Sequence, residues 1–427
     1  MKTMRLAAMI AVALAVCLGG CRKSPREIER PEKIVSWRQV IYDSSTYANL
    51  ARLWKEYYEV YPSEDAYGNW MYAARYAGDP EYPSLLAKGL EIYPVNPIIL
   101  YLAGNEKCSR QDNLEGLQLL EKAAALDPSS TDPWFALAGV YLSQGDREKS
   151  DAALRRLLAS GVISDAVMDF NYNMIASLDT NGILITNGDN DTYPGWILTR
   201  IIRFRPDVNI VNRSLLNTRW YPGVIVGEGV PPFVTQAEME SLEVEMAVDV
   251  KKARAGEIPE DRVMLVGDRL VVRIIEAAGR AGRPVYFACT LSDNQMVRGY
   301  RTQGRALGLV TLVTSPERPY GVQLQKLFRT WASGFRTAGL DSWQLRAAKE
   351  TRADRMLVRN YAAALHRLID RVEEAGPAVQ LSLFRWYRDH LVGVLPMEMA
   401  NETDKMWCGT GRPEEIREWC KRLGLPQ

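Results

Sequence analysis

The sequence has few of the groups that carry the commoner kinds of catalysis. Only two histidines occur among 427 residues, His366 and His390, and both lie in the last helical segment. A histidine-based triad or zinc site is therefore disfavoured, and any acid–base chemistry would fall to carboxylates. No complete nucleophile-elbow, P-loop or zinc-protease signature occurs along the chain. These absences favour a role other than catalysis.

An excess of charge of one sign is also lacking. Lys and Arg number 53 against 52 for Asp and Glu, which gives a formal net charge of +1. Such a balance provides no field that would attract nucleic acid or an anionic membrane surface, so we predict no nucleic-acid partner. The length and the 47% hydrophobic content are enough to build more than one core.

The apolar run at the N-terminus is too short to span a membrane. It extends from Leu6 to Val16 after a basic start, about half of the ~20 residues that a spanning helix needs. This pattern is typical of a secretory signal peptide. The stretch "LGGC" that follows, ending at Cys21, resembles the lipobox of bacterial lipoproteins. We therefore predict that residues 1–21 are a lipoprotein signal and that Cys21 carries the lipid, including palmitate-type acyl chains.

Residues 22–33 are charged and contain proline, which predicts a linker rather than a packed segment. Arg22, in place of an aspartate after the lipidated cysteine, favours the outer membrane. Several acyl chains, at about 0.8 kcal/mol for each buried methylene, would hold the protein there. We expect a lipid-anchored protein of the cell envelope that faces the periplasm.

The cysteines beyond the N-terminal segment leave two interpretations open. They are Cys108, Cys289, Cys408 and Cys420. An oxidising compartment would permit a disulfide between the last two. Equally, all four could be small buried hydrophobic residues.

A helical pattern with a period of 34 residues occupies residues 34–177. Leu86, Leu120 and Leu154 follow one another at that spacing, and so do Pro94 and Pro128. The pattern resembles the tetratricopeptide repeat, a helix-turn-helix unit of this length. Four residues match the first helix of that repeat: Trp134, Leu137, Ala138 and Tyr141. We predict a short solenoid that either binds a protein partner or serves as a spacer for the next domain.

Short apolar runs alternate with helical stretches over residues 178–320. The predicted strands are Ile183–Thr186, Val208–Val211, Val285–Cys289 and one within "LGLVTLVT" from Leu307. A helix is predicted from Thr192, with Pro194 in its first turn, and another from Gln236, with Thr235 and Glu238 as a capping box. The alternation predicts a three-layer, mostly parallel α/β domain. Residues 321–427 form a helical C-terminal region.

Polar side chains follow three of the predicted strands. The ligand-binding candidates are Asn187, Asp189, Asn190 and Asp191 after the first strand, Asn212 and Asn217 after the second, and Asp293 and Asn294 after the third. If the strands are parallel and adjacent, these groups converge at the carboxyl edge of the sheet. Amides and carboxylates suit a glycan or another polyhydroxylated ligand, or a hard divalent cation.

Asp189 and Asp191 admit three interpretations. They could hold a divalent metal, or serve a metal-dependent enzyme that acts on sugars or phosphate esters. Alternatively they are structural: Gly188 adopts a positive φ, and Asp191 or Thr192 caps the next helix. The structural interpretation is favoured, so we assign no catalytic residue and no cofactor other than this candidate cation.

Several blocks of the middle domain resemble a known family. They are "ILITNGDNDTYPGWIL" from Ile183, "RPDVNIVNRSLLNTRWY" from Arg205, "RPVYFA" from Arg283 and "LSDNQM" from Leu291. They look like the soluble C-terminal domain of multispanning bacterial membrane proteins related to protein O-mannosyltransferases. The resemblance implies the α/β fold. It does not imply mannosyl transfer, because the catalytic part of those proteins is a membrane-embedded half that this sequence lacks.

The resemblance makes a glycan, or a membrane protein linked to glycosylation, a reasonable ligand or partner. The leading hypothesis is accordingly an envelope lipoprotein that acts as a binding or assembly factor. The alternatives are the metal-dependent enzyme and a purely structural spacer.

Overall fold

The computed structural model describes residues 28–109, 113–313 and 326–426. The predicted signal peptide, the lipobox with Cys21 and the first part of the linker lie outside these ranges. The chain forms two compact units, one containing residues 28–34 and Asp43–Leu102, the other Val35–Tyr42 and the chain from Ala103 onward. The boundary between the units falls inside the predicted repeat region, and the predicted domain limits stay predictions.

The smaller unit is built from helices with an aromatic core. Its helices are α1 (Ser44–Val60), α2 (Glu64–Ala77), α3 (Tyr82–Ile92) and the part of α4 (Pro97–Ser109) that ends at Leu102. Asp43 caps α1 by accepting from the Thr46 N–H at 2.7 Å. Tyr67 is buried and donates its hydroxyl to the Leu85 carbonyl at 2.6 Å. Gly89 permits this packing, because a Cβ there would lie 2.7 Å from the Tyr67 ring.

Helices also precede the sheet in the larger unit. They are α5 (Asn113–Leu126), α6 (Asp132–Ser143), α7 (Arg147–Ser160) and α8 (Asp165–Ala176). The buried Ser150 hydroxyl of α7 donates to the Ala138 carbonyl of α6 at 2.9 Å. Helices α3 and α5 end at Ile92 and Leu126, each two residues before one of the prolines of the 34-residue pattern, Pro94 and Pro128.

A mixed sheet of five strands forms the centre of the larger unit. The strands are β1 (Ile183–Thr186), β2 (Asn209–Asn212), β3 (Val285–Ala288), β4 (Arg305–Leu307) and β5 (Val310–Leu312), in the order β2-β1-β3-β5-β4. β1 pairs in parallel with both β2 and β3. All four residues of β1 are buried, as expected for a central strand covered on both faces. The first three strands are confirmed to within a residue at each end.

The prediction of a mostly parallel sheet is wrong for its last part. The segment "LGLVTLVT", predicted as one strand, contributes to a hairpin in which β5 is antiparallel to both β3 and β4. Gly308 makes the turn with a φ of 73°, a value that glycine adopts readily. An apolar run hides such a turn, because Leu307 before the glycine and Leu309 and Val310 after it are all buried.

The helices of the sheet domain are α9 (Asp189–Trp196), α10 (Tyr221–Gly227), α11 (Gln236–Arg254), α12 (Val266–Arg280) and α13 (Gln295–Gln303). The predicted capping box of α11 is confirmed. The Glu238 N–H donates to the Thr235 hydroxyl at 3.3 Å, and the Thr235 N–H donates to the Glu238 carboxylate at 2.7 Å.

Helix α9 begins three residues before the predicted start. Pro194 therefore lies inside the helix, where its missing N–H leaves the Asn190 carbonyl without a helical donor. The Asn171 side-chain amide donates to that carbonyl at 2.9 Å and replaces the lost bond. A π-helical turn, Ile197–Ile201, continues α9, and Arg203 and Arg205 then adopt positive φ angles of 60° and 52°.

The C-terminal region is helical, as predicted, over its described residues. It contains a π-helical turn (Thr330–Gly334), α14 (Ala338–Asp341), α15 (Trp343–Arg346), α16 (Ala353–Ile369), α17 (Pro377–His390), α18 (Met397–Trp407) and α19 (Glu414–Arg422). A disulfide joins Cys408 to Cys420, with their Cα atoms 5.7 Å apart. His366 is engaged in a hydrogen bond of 2.8 Å with the Thr403 hydroxyl. Over the described ranges, no helix combines the length and the apolar character that crossing a membrane requires.

Candidate functional site

A pocket of about 570 Å³ lies at the carboxyl ends of β1 and β3. Its lining comes from five parts of the larger unit: Trp37, Arg38 and Ile41; Asn187 to Asp191; Ser214; Cys289 and Thr290; and Ala353, Met356, Leu357 and Asn360. The parallel pairing of β1 with both neighbours brings the first and third predicted loops together, as expected for an open sheet. We call this cavity the strand-end pocket.

The Asp191 carboxylate serves the main chain rather than the pocket. It accepts from the N–H groups of Asn187 and Gly188, each at 2.8 Å, and from the Thr290 hydroxyl. Its residue is only 2% exposed. Burial raises the pKa of Asp191, and the hydrogen bonds that it accepts partly oppose that rise. The structural interpretation thus holds for Asp191, which closes the turn between β1 and α9.

One detail of the predicted turn is wrong. Gly188 has a φ of −152°, not a positive value. An extended backbone at this point directs the N–H groups of Asn187 and Gly188 toward the same carboxylate, so no left-handed residue is required.

Asp189 is neutralised by an arginine from a distant segment. Its Oδ2 accepts from the Arg38 Nε at 2.9 Å, and Arg38 Nη1 also contacts Asp132 at 3.1 Å. The Arg38 guanidinium lies 4.6 Å from the centre of the Phe135 ring. Its side chain is 10% exposed, whereas that of Asp189 is 27% exposed. Asp189 therefore reaches the pocket as half of an ion pair.

The segment Val35–Tyr42 carries Trp37 and Arg38 into the larger unit. Ile41 donates its N–H to the Thr351 carbonyl, and Ala353 donates to the Gln39 carbonyl, both at 2.9 Å. This segment lies within residues 34–177, which were predicted to form the helical repeats, and its place beside the pocket was not predicted. No local pattern could have indicated the contact, because Arg38 and Asp189 are 151 residues apart.

The candidates that follow β2 do not line the strand-end pocket. Asn212 is buried, donates to the Thr192 hydroxyl at 2.8 Å and accepts from the Leu215 N–H at 2.8 Å. Asn217 accepts from the Gly267 N–H at 2.8 Å. Both amides therefore hold neighbouring backbone in place.

The candidates that follow β3 are also used within the structure. Asn294 caps α13 by accepting from the Val297 N–H at 2.9 Å, and its amide donates to Asp268 at 2.9 Å. Asp293 forms an ion pair with Arg301. Of the eight predicted ligand-binding residues, the structure thus brings four into the pocket: Asn187, Asp189, Asn190 and Asp191.

The arrangement of the two carboxylates is unfavourable for a metal. N–H and O–H donors occupy Asp191, and an arginine occupies Asp189; all of these would repel a cation from the oxygens that they contact. In the part of the chain that the structure describes, no group of three or more His, Cys, Asp or Glu residues could hold a metal ion. The predicted metal role of Asp189 and Asp191 gains no support.

One segment of the chain is similar to a known protein family. Residues 167–225 match the family model described as TMEM260-associated domain 2. This segment is similar to that family. The match links it to the TMEM260 and O-mannosyltransferase-related proteins, as its sequence blocks indicated, and it includes Asn187 to Asp191. No curated protein matches the chain significantly.

Proposed function

We propose that this protein is a lipid-anchored binding or assembly factor of the cell envelope, and that its strand-end pocket takes a hydroxyl-rich ligand such as a glycan. One observation carries the proposal. The pocket retains polar atoms that folding has not used, although the two aspartates that first drew attention are largely satisfied.

Three such atoms lie in the pocket lining. Asn187 accepts the Ser292 N–H through Oδ1, while its Nδ2 has no hydrogen-bond partner among the described residues. Asp189 Oδ1 and Asn360 Oδ1 also lack a partner there, since their bonds use Asp189 Oδ2 and Asn360 Nδ2. One donor and two acceptors match sugar hydroxyls, because each hydroxyl can both donate and accept.

Apolar groups complete the lining. Trp37 is half-buried, and Met356 and Leu357 of α16 face the same pocket. Binding sites for small molecules typically combine such an apolar surface with a few polar groups that fix orientation. A sugar ring presents C–H bonds on its faces and hydroxyls at its edge, so it fits a pocket of this composition.

The helical region supplies the second part of the proposal. Leu86, Leu120 and Leu154, at the predicted spacing of 34 residues, are buried at 5%, 0% and 0% exposure. This burial supports tetratricopeptide-like repeats, in which an apolar position of each repeat is packed. We propose that the repeats bind a protein partner. The anchor at Cys21 and the outer-membrane location rest on the sequence alone.

The proposal is tested by calorimetric titration of the full chain in detergent with soluble monosaccharides and oligosaccharides. We expect saturable binding that Asn360→Leu weakens about tenfold, or 1.4 kcal/mol, because it removes an acceptor from the pocket. Asn401→Leu is the matched control, since Asn401 is exposed on α18. Binding that Asn360→Leu leaves unchanged, or no binding by any sugar of the panel, would refute the proposal.

The metal-dependent enzyme is the weaker alternative. It needs Asp189 and Asp191 to share a cation, whereas their oxygens contact Arg38, backbone N–H groups and a hydroxyl. No further observation in the pocket favours it.

A further inference from the structure

A second pocket, of about 480 Å³, lies at the amino end of β2. Helix α7 contributes Arg147 and Asp151 to its lining, the end of α9 and the π-helical turn contribute Trp196 and Arg200, and Arg203 and Glu228 complete the charged groups. We call it the arginine pocket. The strand-end pocket is at the carboxyl edge of the same parallel strands, so the two cavities are separate.

Arg200 is buried and only partly satisfied. Its side chain is 6% exposed, and its Nη2 contacts Asp151 and, at 3.2 Å, the Ser150 hydroxyl. Its Nε and Nη1 are buried and have no hydrogen-bond partner within the described residues. The guanidinium also lies 5.6 Å from the centre of the Trp196 ring. Because guanidinium only donates, the missing partners must be acceptors.

The backbone around Arg200 has two unusual features. Arg200 belongs to the π-helical turn Ile197–Ile201, and Arg203 has a φ of 60°. π-helical turns are rare and are frequent at functional sites. A positive φ in a residue other than glycine is likewise uncommon and clusters at ligand-binding sites. Both features occur at arginines whose side chains line the arginine pocket.

Positive charge exceeds negative charge in this lining. Arg147 pairs with Glu228, and Arg200 pairs with Asp151. Arg203 is exposed, and no ion pair involves it among the described residues. The Arg203 guanidinium and two nitrogens of Arg200, Nε and Nη1, are therefore left without an acceptor among the described residues.

We infer that the arginine pocket binds the oxyanion group of a small molecule, a phosphate or a carboxylate, between Arg200 and Arg203. The planar guanidinium fork matches both groups, and each can accept two parallel N–H bonds. The inference does not depend on the proposed glycan site, because it uses different residues and a different class of ligand.

Calorimetric titration of the full chain with inorganic phosphate and with acetate tests this inference, since neither probe carries a sugar ring. We expect saturable binding of at least one probe. Phosphate alone would indicate a phosphate ester as the ligand, whereas both would extend the class to carboxylates. Binding of neither would overturn the inference.

Two variants locate the binding. Arg203→Gln should weaken it about tenfold or more without affecting the fold, because the side chain is exposed and unpaired. Arg200→Lys should also weaken it, because lysine keeps a charge for Asp151 but loses the donors at Nε and Nη1. Thermal unfolding checks that Arg200→Lys is folded; if it is not, Arg203→Gln decides the test.

The matched control is Arg280→Gln, since Arg280 is exposed at the end of α12. It should bind the probe like the parent protein. Equal binding in all variants, or equal loss in Arg280→Gln and Arg203→Gln, would show non-specific attraction and refute the inference.

Discussion

The strand-end pocket and the arginine pocket differ in how completely their charged groups are paired within the folded protein. In the first, Asp191 is satisfied by backbone N–H groups and Asp189 by Arg38. In the second, the buried Arg200 keeps two nitrogens without an acceptor. Most buried polar groups in proteins are paired, so an unpaired group says more about binding than a conspicuous cluster does. The acid pair is conspicuous in the sequence, yet of its four carboxylate oxygens only Asp189 Oδ1 is left for a ligand.

The largest effect is expected from Asp191→Ala. The substitution leaves the part-buried N–H groups of Asn187 and Gly188 without an acceptor, and the loss of an acceptor for a buried donor costs about 1–3 kcal/mol. We predict that the free energy of unfolding of the larger unit falls by about 3 kcal/mol, as measured by urea denaturation. Asp191→Asn, which keeps one acceptor oxygen, should lose less. An Asp191→Ala variant as stable as the parent protein would contradict the structural role of this carboxylate.

A smaller effect is expected from Asp207→Asn, which tests Arg205, an arginine whose three nitrogens all have acceptors in the structure. Arg205 donates to Asp207 and to the carbonyls of Leu178 and Asp179, unlike Arg200. Hydrogen bonding from Arg205 holds the pKa of Asp207 well below its usual value of 3.8. We predict a loss of about 2 kcal/mol in the free energy of unfolding at pH 6, since the hydrogen bonds involve charged groups.

The pH dependence of that loss has a definite sign. Because the folded state holds the carboxyl ionised, the stabilisation is fully present above pH 3.8 and disappears as the pH falls through the lower folded pKa. Denaturation of the parent protein and Asp207→Asn at pH 6 and pH 2.5 should therefore show a difference that shrinks at low pH. A difference that stays constant would show that the Arg205 pair does not cause it.

The smallest effect is expected from divalent cations. Addition of Mg²⁺ or Ca²⁺ at millimolar concentration should shift the thermal unfolding midpoint no more than the same ionic strength of NaCl, because arginine and N–H donors occupy Asp189 and Asp191. A cation-specific rise that Asp189→Asn abolishes would restore the metal interpretation and remove the contrast between the two pockets.

Local patterns were enough to predict much of the fold. β1 to β3 were found because each is a short apolar run, and α11 because Thr235 and Glu238 lie at the spacing of a capping box. The hairpin of β4 and β5 was missed because its turn at Gly308 sits within an apolar run. Whether two strands pair in parallel or antiparallel depends on tertiary contacts, which a local apolar run does not indicate.

The sequence predicted only the part of the site that is contiguous along the chain. The loop from Asn187 to Asp191 was placed at the strand end because it directly follows β1. Whether an individual amide remains available depends on partners elsewhere, and for Asn217 the partner is Gly267, 50 residues away. Trp37 and Arg38 enter the pocket through backbone contacts of Val35–Tyr42 with residues near Arg352, which the sequence could not indicate.

The most direct test of the central claim is NMR observation of the Asn187 side-chain amide while the full chain is titrated with soluble glycans. Asn187 Nδ2 is the unused donor of the strand-end pocket, so its signals should shift in a saturable manner with a bound sugar and stay unchanged with phosphate. Amide signals that do not move at a glycan concentration that saturates the binding measured by calorimetry would contradict the account.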